Sequence, residues 1–234
     1  MISIVLPTKN EAKIGDLISL IRRELDKINV SYEVLVIDKS SDDTPKKAEL
    51  AGAKVFKQKS DGLGEAIKEG LMLSKGDVIL VMDADFSHNP IYMHEFLEKI
   101  REFDIVVGSR KIPGGKTIGW SFKRKLISGA ANFLARYLAG VKISDATSGY
   151  RAYRKEVFNK VDLNKLSSKG FEFQIEVLWE ALRKGFKIGV VPIVFQDRSF
   201  GKSKLSKKDV LRFFKLCLKL WLKRIEKSLK ERKI

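Results

Sequence analysis

The chain has 234 residues, 44% of them hydrophobic, enough to bury a core as one α/β domain or two small ones, which excludes disorder as its default state. Its 46 Lys and Arg against 29 Asp and Glu give a net charge of +17 and imply an anionic partner: nucleic acid, acidic lipid and phosphorylated substrate all qualify. The single Cys217 excludes an internal disulfide, and no apolar run reaches the roughly eighteen residues that a membrane span needs.

The first residues, "MISIVLPTKNEAK", read as a strand rather than a secretion signal, so the expected setting is reducing and cytoplasmic. After "ISIVLPT" the pattern gives a helix through "LISLIRRELDKI", a strand "YEVLVID", a helix after Thr44-Pro45 and a strand "KVFK". There follow a helix through "GEAIKEGLML", a strand "DVILVMD", a helix from Pro90 to Glu102 and a strand "DIVVGSR". From about Gly114 the pattern turns helical, with one later strand, "KIGVVPIVF", before a basic tail. Runs that are apolar on both faces and joined by helices specify a mostly parallel sheet covered on both sides, with ligands beyond the carboxyl ends of its strands. The segments "PTKNE", "DKSSDDT", "DAD" and "GSR" each follow a strand and so fall on that edge. No repeat or composed linker interrupts the chain, which predicts one domain over residues 1–205 and a C-terminal extension over 206–234.

The stretch "GDVILVMDADFSHNP" runs an apolar strand into two acids. Side chains at i and i+2 of an extended segment share a side, so Asp83 and Asp85 are predicted to converge. Two carboxylates suit Mg²⁺ or Mn²⁺, which take one or two such ligands and complete their shell with water and substrate phosphate. The alternative is capping of the next helix, a task that Asn89 can do alone. His88 and His94, one in a turn and one in a helix, are expected at the surface. In "DGLGEAIKEG" the third position of a dinucleotide fingerprint is Ile67, so Gly62 and Gly64 are read as a close-packed helix entry.

Together, "PTKNE", "IDKSSDDT", "GLGEAIKEGL", "VMDADFSHNP", "VVGSR" and "DATSGYRAYRK" resemble, in order and spacing over residues 1–205, the family-two glycosyltransferases of the GT-A fold, and among them the dolichol-phosphate mannose synthase group. The resemblance implies a metal-dependent inverting transferase that moves a hexose, mannose from GDP-mannose, onto the phosphate of a polyprenyl phosphate. It puts Pro7, Lys9, Glu11 and Asp38 around the nucleoside of the nucleotide-sugar donor, and Asp83 and Asp85, with Ser87, on a divalent metal that bridges the donor diphosphate. Lys9 stands where the family often has an aromatic residue and Lys39 where a second aspartate is usual, which leaves the nucleobase open and keeps a UDP-sugar glucosyltransferase as the alternative.

Basic residues supply the acceptor side. Arg110 ends a strand, Arg124 and Ser128 lie four apart on one helical face, and "RSFGKSKL" carries Arg198 and Lys204 on a loop. By resemblance these positions gather around the acceptor phosphate and the donor diphosphate: Arg110, Arg124 and Ser128 at the acceptor phosphate and Lys204 with the donor, with Asp85, Arg110, Arg124 and Arg198 as the catalytic set. Such an acceptor is ionised at pH 7 and needs no general base; relatives that glycosylate hydroxyls use an acid of this half of the fold as one, so Asp145 is read either as such a base or as a group that orients an arginine or its loop.

The tail from Ser206 reads as a basic amphipathic helix of about 26 residues, roughly 39 Å long. Lys208, Arg212, Lys215, Lys219, Lys223 and Lys230 form one stripe, and Phe214, Leu218, Trp221, Leu222, Ile225 and Leu229 another. Two roles stand open: packing on the body, or lying in a membrane interface, with "WSFKRKLISGAANFLARYLAGV" as a second contact. The second makes the protein peripheral on the cytoplasmic face. A nucleic-acid-binding protein is the rival class, and Asp38, Asp83 and Asp85 on the binding edge oppose it; a non-catalytic member of the same fold is a further one.

Overall fold

The computed structural model describes residues 1–197 and 206–231. Arg198 and Lys204, the boundary at 205 and the side chain of Lys230 lie outside the described residues.

The chain opens with β1 (Ile2–Thr8), α1 (Ile14–Asp26), β2 (Tyr32–Asp38), α2 (Thr44–Leu50), β3 (Lys54–Lys57), α3 (Leu63–Leu73) and β4 (Val78–Val81), the predicted alternation. A 3-10 turn at Pro90–Tyr92, capped by the Asn89 side chain on the Ile91 amide, leads into α4 (Met93–Lys99) and β5 (Ile105–Ser109). The helix expected from Pro90 to Glu102 is therefore shorter. The second half holds β6 (Lys116–Ile118), α5 (Phe122–Leu134), β7 (Arg151–Arg154), α6 (Val157–Lys160), α7 (Phe173–Arg183), β8 (Ile188–Pro192), β9 (Val194–Gln196) and α8 (Lys207–Glu231). Neither β6 nor β7 follows from the sequence pattern, because each is short and carries basic residues, and the late strand splits in two at Ile193.

Among the described residues the main sheet has seven strands in the order β3-β2-β1-β4-β7-β5-β8, with β7 antiparallel to its neighbours. Strand order reverses between β1 and β4, so the residues after those strands face a topological switch point, where open α/β sheets bind ligands. Alternate strand residues feed two cores. Val5, Leu35, Ile37, Ile79 and Val107 pack with α3 and α7, while Ile4, Leu6, Val36, Leu80 and Val106 pack with α1 and α4. Helix α1 shows why it forms: Ile14, Leu17, Ile18, Ile21 and Leu25 make one apolar stripe, each fully buried and contributing about 1.5–3 kcal/mol.

Helix α8 has three stripes rather than two. Leu216, Cys217 and Leu220 enter the α3–α7 core, Phe214, Leu218, Trp221, Leu222, Ile225 and Leu229 stay exposed, and Lys208, Arg212, Lys215 and Lys219 form the basic edge. Arg224 fastens it to the π-helical turn Ala135–Ala139 that follows α5 by donating to the carbonyl of Leu138 at 2.9 Å. Helix α5 itself buries no residue and exposes Phe122, Leu126 and Phe133, as does Tyr137 just beyond it. Among the described residues no helix is long and apolar enough to cross a membrane.

Candidate active site

The expected donor edge is knitted together before any ligand is considered. Asp38, at the end of β2, accepts from Thr8 Oγ1 and Ser40 Oγ at 2.6 Å through Oδ1 and from the Ser40 amide through Oδ2 at 3.0 Å. A carboxylate offers about four acceptor positions, so Oδ2 retains one toward a ligand donor. Asn10, at φ 56°, ties the loop after β1 to the loop after β2: its amide donates to Ser40 Oγ and its Oδ1 accepts from the Ser41 amide. The Glu11 amide donates to Thr44 Oγ1 across the same gap. Pro7 lies in β1 and is half-buried, Lys9 is exposed, and Lys39 pairs with Asp61. At Gly64, which opens α3, a Cβ would meet Phe173 Cβ at 2.6 Å and the Gly170 carbonyl at 2.8 Å, the close-packed helix entry read from the sequence.

The acidic turn is built differently from the expectation. Strand β4 ends at Val81, so Asp83 and Asp85 sit in a bend beyond it and are not set by strand alternation. The bend has its own supports. Phe86 takes φ 63°, an uncommon backbone state for an aromatic residue, while the Ser87 amide donates to Asp85 Oδ1 at 3.0 Å. His88 is 1% exposed, contrary to the surface position expected, and its Nδ1 accepts from the Asp83 amide at 3.0 Å. Burial pushes its pKa down against the pull of Asp83 and Asp85, so the ring is neutral with its proton on Nε2. Tyr150 stacks on one face at 5.0 Å and Phe195 meets it edge-on at 5.4 Å.

Among the described residues no group of three or more His, Cys, Asp or Glu forms a metal cage. Asp83 and Asp85 supply two carboxylates, and Ser87 Oγ is buried without a hydrogen-bond partner among the described residues, an all-oxygen set that fits a hard cation sharing its shell with phosphate. Gln174 escaped the sequence reading. It is 7% exposed, and its amide nitrogen lies 3.5 Å from where a Cβ on Gly149 would stand, a point 3.4 Å from Asp83 Oδ1.

Two arginines also gather near Phe195. Arg110 donates through Nε and Nη2 to the two oxygens of Asp145, at 2.7 and 2.9 Å, and Asp145 is wholly buried. Burial alone would raise the Asp145 pKa, but the Arg110 hydrogen bonds and charge outweigh it and hold the carboxyl below its ordinary range. An acid held this way orients Arg110 and is a poor base. Arg124 donates to Asp197 Oδ1 at 2.6 Å, and both guanidiniums stack near Trp120, at 4.9 Å for Arg110 and 4.5 Å for Arg124. Ser128, one turn on from Arg124, has a buried Oγ with no hydrogen-bond partner among the described residues. Asn132, a further turn on, accepts from the Ala146 amide and donates to Thr147 Oγ1, docking α5 on the loop that holds Asp145. The spacing 124, 128, 132 carried that signal in the sequence. Arg151, fully buried, donates to the carbonyls of Ala146, Ser148 and Gln174 and fixes the same loop from beneath.

Residues 3–162 match Glycosyl transferase family 2. The chain belongs to that family. The transferase is 38% identical over 211 residues to the undecaprenyl-phosphate mannosyltransferase of Micrococcus luteus, an alignment covering 86% of each chain. It is 43% identical over 153 residues to the polyprenol monophosphomannose synthase of Mycolicibacterium smegmatis, spanning 64% of this chain and 58% of that protein. The glucosyl-3-phosphoglycerate synthase of Mycobacterium tuberculosis, solved with Mn²⁺, UDP and phosphoglyceric acid, superposes with a TM-score of 0.70 at 21% identity, over 96% of this chain and 78% of that one. The same enzyme solved with Mg²⁺ and UDP gives 0.70 at 20% identity, over 94% and 79%. The transferase thus has the GT-A-like fold.

Proposed function

We propose that this transferase moves mannose from GDP-mannose to the phosphate of a polyprenyl (dolichyl) phosphate at the cytoplasmic face of a membrane. The observation that carries the reading is one aromatic ring, Phe195, that touches both halves of the site. Phe195 lies 5.4 Å from the His88 ring, which holds the acidic turn, and 5.5 and 5.9 Å from the guanidiniums of Arg110 and Arg124. That proximity supports a phosphate acceptor held by arginine beside a donor diphosphate held at the acids. The mannosyltransferase from Micrococcus luteus, similar over nearly its whole length, supports the sugar and the lipid phosphate.

In this reading Pro7, Lys9, Glu11 and Asp38 receive the nucleoside, while Asp83, Asp85 and Ser87 hold Mg²⁺ or Mn²⁺, which when bound neutralises charge on the departing nucleoside diphosphate. An acceptor phosphate oxygen forms a bond to the anomeric carbon as the bond to the diphosphate breaks, and no proton has to move. Asp145 therefore serves by aiming Arg110. Among the described residues Nη1 of Arg110 and Nε and Nη2 of Arg124 make no protein hydrogen bond, which suits them to an incoming anion. Ser128 Oγ joins them. Arg198 keeps the catalytic role toward the anionic substrates, and Lys204 the donor role, that the family motif implies.

The exposed apolar stripe of α8, its basic edge and the unburied α5 support a peripheral membrane contact, with residues 1–205 as the catalytic unit and the tail helix as its interfacial part. Incubating the purified chain with GDP-mannose or UDP-glucose, Mg²⁺ or Mn²⁺ and a polyprenyl phosphate tests the reading. Mannosyl-phosphoryl lipid should form from GDP-mannose and stop on chelation. Transfer from UDP-glucose alone, or to water alone, overturns it.

A further inference from the structure

Strands β6 and β9 form a two-stranded sheet of three residues each, apart from the main sheet, with Thr117 opposite Phe195. So small a sheet adds little stability of its own. It does place two aromatic rings. Gly119, at φ +83°, turns the chain out of β6 so that Trp120 falls between the strand and the N-terminus of α5, where Ser121 caps the helix by accepting from the Arg124 amide. Trp120 meets Phe195 edge-on at 5.4 Å, and the Asp197 amide donates to the Ile118 carbonyl, which fixes the acid that pairs with Arg124. Arg110 and Arg124, from different elements, both approach the ring system of Trp120, and each has one carboxylate at its edge.

We infer that Trp120 is a positioning residue: its ring, braced by Phe195, holds the guanidiniums of Arg110 and Arg124 at a fixed spacing so that their remaining N–H groups meet the acceptor phosphate together. Two like charges brought this close repel, and long side chains lose rotamer freedom when they are held. A ring face offsets both, because it attracts a cation from either side and fixes the plane of the guanidinium. The carboxylates of Asp145 and Asp197 set the direction of each fork, and the ring sets the plane. Trp120 Nε1 is buried and has no hydrogen-bond partner among the described residues, so the residue acts through its ring face and not through its ring nitrogen. A phenyl ring should therefore substitute for it.

The inference rests on the proposed acceptor chemistry, and two measurements keep the two separable. In the first, which needs no substrate, the ¹⁵N-resolved Hε signals of Arg110 and Arg124 are compared in the full-length wild type, Trp120→Phe and Trp120→Leu. Phe195 contributes a ring current in all three proteins, so the part of the displacement due to residue 120 should persist in the Phe variant and be lost in the Leu variant. In the second, kcat/KM for polyprenyl phosphate should fall about 10–30-fold in Trp120→Leu, chiefly through KM, and stay within about threefold of wild type in Trp120→Phe. Binding of GDP with Mn²⁺, followed by calorimetry, should be unchanged in both. A Leu variant that transfers normally, a Phe variant as poor as Leu, or parallel loss of nucleotide binding overturns the assignment. Wild-type enzyme that ignores polyprenyl phosphate while the Hε displacements behave as stated sinks the acceptor reading, and with it the use of the platform, but not the platform's geometry.

Discussion

Asp145 gives both carboxylate oxygens to Arg110 with no solvent contact, which makes it a sensitive residue for stability. Removing one partner of a buried ion pair strands the other, so Asp145→Asn should cost about 3–5 kcal/mol in urea unfolding and lower acceptor use through a misaimed Arg110. Its folded pKa lies below the unfolded value near 3.9, so the stabilisation is fully present above the ordinary carboxylate range and is lost as pH falls through the lower folded value. The wild type should therefore lose melting temperature below about pH 4 more steeply than the Asn variant; parallel profiles would remove the pair from the acid response. His88 makes a second case at this scale. His88→Ala should leave the Asp83 amide without its acceptor and weaken Mn²⁺-dependent nucleotide binding about tenfold, and His88→Asn, whose Oδ1 can reach the same amide, should recover part of it. Equal loss in both variants would point to the stacking on Tyr150 instead. The sequence displayed His88 as one histidine in a turn; nothing local told that Tyr150 and Phe195, far along the chain, would enclose it.

At the scale of elements, α8 has two jobs that sequence periodicity treats as rivals. Its buried stripe is part of the core, so deleting the helix would open the α3–α7 layer and confound any test of its exposed stripe. Substitution is the cleaner probe. Leu218, Trp221, Leu222 and Ile225 changed together to Ser should abolish flotation with anionic vesicles while leaving the melting temperature nearly intact, because these side chains are exposed. Wild-type binding should fall as salt rises, since the basic edge is screened. If the substituted protein still floats, the contact lies elsewhere, with α5 the next candidate. Cys217 reports on the opposite stripe: burial pushes its thiol up to about 12, so a thiol reagent at pH 8 should leave it untouched until the helix detaches.

Across the whole molecule, the loops after β1, β2 and β4 converge where strand order reverses, so a ligand bound there contacts elements from throughout the first half of the chain. Such a ligand stabilises by mass action. GDP with Mn²⁺ at about a hundred times its dissociation constant adds about 2.7 kcal/mol, which in a domain of this size raises the melting temperature by roughly 5–10 °C. Chelation should cancel the shift, and a larger response to UDP than to GDP would reassign the donor.

The sequence by itself determined the βα alternation, the sheet edge that carries "PTKNE", "DKSSDDT", "DAD" and "GSR", and the helix of Arg124 and Ser128, because strand burial and helical spacing are written in neighbouring residues. It also held the family's ordered motifs. Only the tertiary structure decided that β7 lies between β4 and β5, that Asp145 is Arg110's partner, that His88 is buried, and that Trp120 meets two guanidiniums. Each of those depends on segments distant in the chain meeting in space. A residue such as Asp145 or Trp120 carries no local sign of the charge or ring that will face it, since that partner is chosen by how the sheet is ordered and not by the residues beside it.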